Sequence, residues 1–200
     1  MNAALLLGFA VFAFVSSITP GPNNAMLLAS GVNYGFRRTL PHMAGVNLGA
    51  AAMLLLVGLG LGEVFIAIPS LYDVLRYLGA AYLVWLAWKI AGSEGSGPAE
   101  AGPGGRPLTF WQAAAFQWVN PKAWILVVGA VTTYAPRNGF AANVTLLAVL
   151  LALINAPTLC VWAGFGTALR PWLARPGRLR AFNVTMALLL VASLLPMLRP

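Results

Sequence analysis

Charge is what this sequence has least of. Four acidic and twelve basic residues among 200 leave only 8% of the chain charged, where a soluble domain carries about 25%. Histidine and cysteine occur once each, as His42 and Cys160. A single cysteine in an apolar run excludes an internal disulfide, a CxxC redox pair and a thiolate metal cage. One histidine without a carboxylate cluster lacks the usual ligands of metal transport, and no nucleophile stands with a base as a hydrolase requires. An enzyme, a bound metal and a cofactor are therefore not expected. The formal charge of +8 would suggest nucleic acid in a soluble protein. Here the basic residues cluster between apolar segments, which membrane topology explains without a nucleic-acid partner.

Apolar residues are what the chain has in excess: 60% of it is hydrophobic and its mean hydropathy is +0.82. Several apolar segments have helical length, and none shows the alternation of a membrane barrel. The expected class is all-α and integral to the lipid bilayer. Six spans are predicted, near residues 3–33, 40–68, 71–90, 109–134, 141–169 and 181–198. The first has no basic region ahead of it and its helix resumes past a Pro-Gly break, so a span is expected there rather than a cleaved leader. Residues 92–107 turn abruptly to Gly, Ser, Pro and Glu, the composition of a flexible linker. One transporter domain over 1–200 follows, with halves near 3–91 and 108–200. Lys and Arg set the orientation. Arg37, Arg38, Lys89, Arg106, Arg170, Arg175, Arg178 and Arg180 fall on one side, and Arg76, Arg137 and Arg199 on the other. Eight against three puts the first group in the cytoplasm and both termini outside.

The first span is interrupted at Ile18-Thr19-Pro20-Gly21-Pro22-Asn23-Asn24. Two prolines around a glycine cannot continue a helix, and the glycine is expected to take up whatever dihedrals the break needs. Freed backbone at membrane depth is tolerated only against protein or a water-filled cavity, so the break suggests a solute site. The fourth span is interrupted at Asn120-Pro121-Lys122. With three spans per half, the second half enters from the opposite side. Interrupted helices in matching places of two inverted three-helix repeats are the best sequence pointer to a transport site.

Asn120 is expected to cap the second half-helix, with Pro121 as its first residue. Lys122 then lies in a first turn, where the helix dipole is already positive. Near mid-bilayer its charge costs at least about 2.5–3.5 kcal/mol. An anionic partner is expected, either a substrate carboxylate or a protein carboxylate. No Asp or Glu falls in the middle of a predicted span, which favours the substrate. Asn23 and Asn24 open the half-helix after Pro22 and either meet an anionic group or simply cap and bridge helices. Thr19 either caps the first half-helix or holds a cation through its carbonyl. Asn155-Ala156-Pro157 reads as a kink rather than a ligand, and His42 as an interfacial residue more often inert than a proton relay. Small residues along the second span, among them Gly45, Gly49, Gly58 and Gly60, read as packing positions compatible with a homodimer.

Thr19-Pro20-Gly21-Pro22-Asn23, followed by Gly35-Phe36-Arg37-Arg38 and the Gly45/Gly49 spacing, resembles the first signature of the lysine-exporter (LysE/RhtB) family. Leu75 to Leu83 is similar to its third-span signature, and Phe116 to Ala123 to its fourth. The similarity covers about residues 5–198. The resemblance implies a multi-pass protein of the bacterial inner membrane that exports amino acids or related small metabolites by antiport with protons. It carries over Pro20, Gly21, Pro22, Asn23, Asn120, Pro121 and Lys122 as motif positions. Together with Thr19 and Asn24 these form the candidate substrate site. Residues 47–53 lack the acidic residue that exporters of basic amino acids tend to have, which argues for a neutral or zwitterionic substrate. Span six lacks the family's usual glycines. A passive channel, or an exporter of another small solute through the same site, is the alternative.

Overall fold

The computed structural model describes residues 1–93 and 106–195, and among them all regular structure is helical. In chain order the helices are α1 (Ala3–Ile18), α2 (Pro22–Tyr34), α3 (Phe36–Leu56), α4 (Gly62–Ala67), α5 (Pro69–Ala91), α6 (Phe110–Phe116), α7 (Pro121–Tyr134), α8 (Phe140–Leu169) and α9 (Pro176–Ala192). A π turn (Val57–Leu61) joins α3 to α4, and a 3-10 turn (Gln117–Val119) follows α6. Three stretches are long and apolar enough to cross a membrane alone: Phe36–Val64, Asp73–Ala91 and Phe140–Leu169. A fourth is added if α1 and α2, bent by 52° at their break, count as one span. The linker expected at 92–107 lies mostly outside the described residues, as does the end of the sixth span.

Three boundaries differ from the sequence reading, each for a local reason. The connection expected between the spans 3–33 and 40–68 shrinks to Gly35, whose φ of 82° turns the chain, so Arg37 and Arg38 sit on the exposed first turn of α3. The second span is not continuous. Gly60, at φ 128° and ψ −13°, holds a conformation closed to side-chain-bearing residues and kinks the helix at the π turn. Conversely, α8 runs unbroken through Pro157.

Glycines let the helices around the break approach backbone to backbone. A Cβ on Gly31 would strike the Ala163 carbonyl, and one on Gly166 the Leu28 carbonyl, so α2 and α8 touch along their main chains. Gly45 and Gly49 do the same for α3 against α6, where a Cβ on Gly49 would come within 2.6 Å of Ala114 Cα. These approaches lie within the chain, so this face supplies no separate argument for a homodimer. One apolar core joins Phe9, Met53, Leu54, Val127, Leu147 and Leu151. Another packs Leu83 and Leu86 of α5 with Phe116 and Leu190. Buried amides fasten this second core to α2. Asn33 and Asn183 exchange hydrogen bonds (2.9 and 3.2 Å), and Asn183 also donates to the Ser93 carbonyl at 2.7 Å.

Candidate functional site

The break after α1 leaves the carbonyls of residues 17–20 without the main-chain donors that a continuing helix would bring to them. Side chains from three other helices supply the donors. Asn24 Nδ2 donates to the Ser17 and Thr19 carbonyls at 2.8 and 2.7 Å, and Trp162 Nε1 of α8 to the Ile18 carbonyl at 3.2 Å. Lys122 arrives from the other broken helix. Its ammonium donates to Thr19 O at 2.6 Å, Thr19 Oγ1 at 2.9 Å and Pro20 O at 3.2 Å. The lysine charge is thus met by the carbonyl end of α1, whose dipole is negative there. Its partners among the described residues are these oxygens and not a carboxylate.

Gly21 is needed for a reason the sequence did not show. Its φ and ψ, −177° and 178°, are ordinary extended backbone. The space above its Cα is taken by the lysine stem, since a Cβ there would lie 2.7 Å from Lys122 Cδ. Pro22 opens α2, whose N-terminus has no side-chain cap because Gly21 precedes it. At the second break Asn120 caps α7 by accepting from Lys122 N at 3.1 Å, with Pro121 as the first helical residue.

A cleft of about 490 Å³, measured out to its open mouth, lies between the two breaks. Gly21, Asn23, Asn24, Asn120 and Lys122 of the expected site line it. Thr19, Pro20, Pro22 and Pro121 do not; Thr19 and Pro20 take part as the lysine's acceptors, and the other two prolines begin the half-helices. Leu126, Val127, Leu151 and Leu159 add an apolar part to the lining. Lys122 is the one charged residue in this lining.

Sequence reasoning missed Gln117, Ser16, Ser17 and the contribution of Asn155. Gln117 is fully buried and pairs both ways with Asn23, at 2.9 and 3.2 Å. Its signal was available: a glutamine in the apolar turn just before the second break. Asn155 lines the cleft from α8 and donates to Asn47 of α3 at 3.1 Å. His42, two turns into α3, is enclosed by protein. It is 1% exposed, neither ring nitrogen has a hydrogen-bond partner, and it is not in the cleft lining.

Two interrupted helices meeting at a polar cleft inside an apolar bundle make the arrangement used by membrane transporters for their solute sites. The chain belongs to the LysE family: residues 13–194 match the family described as LysE type translocator. The cysteine/O-acetylserine efflux protein of Escherichia coli strain K12 is 36% identical over 193 residues, 96% of each chain. The protein of the same description from Shigella sonnei strain Ss046 matches with the same identity and coverage. No solved structure matches the chain.

Proposed function

We propose that this protein is a secondary transporter that exports small neutral amino acids, cysteine and O-acetylserine first among them, across the bacterial inner membrane in exchange for protons. The observation that carries this reading is the charge inventory of the cleft. One cation, several neutral amides and no carboxylate among the described lining residues suit a ligand that brings a carboxylate and no net positive charge. A lysine or arginine substrate would add a cation with nothing to neutralise it. The names of the relatives agree with a short, uncharged side chain.

In this reading the substrate carboxylate rests between Lys122 and the N-termini of α2 and α7, where partial positive charge converges. Six spans form two inverted repeats that rock about the cleft, with both termini on the outer side. A crossed pattern of contacts supports the repeat. Asn23 follows Pro22 and reaches back to Gln117, in the turn before the second break. Lys122 follows Pro121 and reaches back to Thr19, in the first break. Each half-helix thus holds the end of its counterpart, as a two-fold axis between them requires.

Proteoliposomes holding the purified protein test the proposal. Labelled cysteine should accumulate against its gradient when a pH gradient is imposed, and a protonophore should abolish the accumulation. Equilibration without accumulation under either condition would make the protein a passive channel.

A further inference from the structure

Lys122 uses up its hydrogen-bonding capacity on one short piece of backbone. An ammonium has three N–H donors, and the three oxygens within reach are Thr19 O, Thr19 Oγ1 and Pro20 O. Thr19 and Pro20 are both exposed residues, and they stand in the chain between Ser17 and Gly21, which line the cleft. Nothing in this geometry is particular to a lysine side chain; any primary ammonium offers the same three donors and the same charge. A second observation points to a ligand at the same place. Ser17, in the turn just before these oxygens, is a cleft-lining residue only 8% exposed, and its buried hydroxyl has no hydrogen-bond partner.

We propose that the three oxygens at residues 19 and 20 form a subsite for the primary ammonium of the substrate, and that Lys122 is a tethered ammonium filling it until the substrate enters. The proposal deepens the export reading and rests on it. An entering zwitterion exchanges one ammonium for another on Thr19 and Pro20. The released Lys122 meets the carboxylate that came in with it. Every charge is either hydrogen-bonded or paired in both states, which is the condition for holding ions inside a low-dielectric protein. Ser17 then gives its hydroxyl to the substrate next to the ammonium. The subsite selects for a free primary amine: N-acylated amino acids and carboxylic acids without an amine lack the group that displaces the lysine.

Two measurements decide it. In the first, Lys122→Ala protein in detergent is melted with n-propylammonium, with n-propanol, and with tetramethylammonium, which carries charge but no N–H. A saturable rise in Tm with propylammonium, at a concentration about tenfold below any effect of tetramethylammonium, is expected. Wild type, its subsite filled, should show no such rise. Equal responses to the two cations, or none, would overturn the subsite. The second keeps the lysine and so does not depend on that variant folding. Cysteine and 3-mercaptopropionate, which differ by the ammonium, compete with labelled cysteine for transport by wild type and Thr19→Val. Thr19→Val takes one bond from whichever ammonium fills the subsite, so cysteine should be nearly unchanged, while 3-mercaptopropionate, which frees the lysine without replacing it, should compete about tenfold better, the worth of one charge-assisted hydrogen bond. An equal change in both, or a weakening of cysteine alone, would also overturn it. If wild type transports no cysteine at all, the export reading falls while the melting experiment still decides the subsite.

Discussion

Gly21→Ala isolates the crossing of the lysine over the first break. The backbone there is fully extended, so alanine meets no conformational penalty. The added methyl would stand 2.7 Å from Lys122 Cδ and 3.1 Å from Nζ. Carbon atoms in contact prefer about 3.5–4.0 Å, so the stem has to retreat by roughly 1 Å. A retreat of that size takes the ammonium out of hydrogen-bond range of at least Thr19 Oγ1 and Pro20 O, now at 2.9 and 3.2 Å. Hydrogen bonds to a charged group contribute about 1.5–3 kcal/mol each, and water at this exposed step returns part of the loss. We expect a destabilisation of about 2 kcal/mol, which for a chain of this size lowers Tm by about 4–8 °C. The control is a double-mutant cycle. In a Lys122→Ala background there is no stem to displace, and Gly21→Ala should then cost no more than about 0.5 kcal/mol. Thermal unfolding of the four proteins in one detergent gives all the terms. An equal loss in both backgrounds would refute the reasoning and give Gly21 a role unconnected with the lysine.

Other substitutions probe the surroundings. Asn24→Leu leaves the Ser17 and Thr19 carbonyls without their amide donor, and should lower stability by about 2 kcal/mol in the same melting assay. Asn183→Ala removes both of its hydrogen bonds with the buried Asn33 amide, which keeps Ala29 O and Ser93 Oγ as partners, and the donor to the Ser93 carbonyl, with a cost of about 1–3 kcal/mol. Gly31→Leu drives a side chain into the backbone of α8. A loss of at least about 3 kcal/mol is expected, visible as a missing monodisperse peak in size-exclusion chromatography.

The punctuation of the fold was legible because proline and glycine act locally. Pro22 and Pro121 placed both half-helix starts, and Asn120 announced its cap. The need of Lys122 for a partner was legible too, because a cation in an apolar run has to be compensated. The identity of that partner was not. A search for opposite charge looks for Asp and Glu, but the acceptors are main-chain carbonyls and a hydroxyl of residues 19 and 20, which carry no charge in the sequence. Gln117 and Asn23 lie 94 positions apart and meet only because two breaks face each other, a tertiary fact that no local pattern encodes. The π turn escaped for a different reason. Gly58, Gly60 and Gly62 look alike in the sequence, and only the backbone distinguishes Gly60, at φ 128°, from neighbours that pack as helix. Gly21 was singled out correctly but for the wrong property: its lack of a side chain matters there, not its dihedral freedom.

Export itself is the most direct test. Cells expressing wild type or Lys122→Ala at equal membrane abundance are loaded with cysteine or O-acetylserine, and both are followed inside the cells and in the medium. The account predicts that wild type lowers the internal level and raises the external one, and that Lys122→Ala abolishes the difference. Export by Lys122→Ala at the wild-type rate, or no movement of either amino acid by wild type, would contradict it.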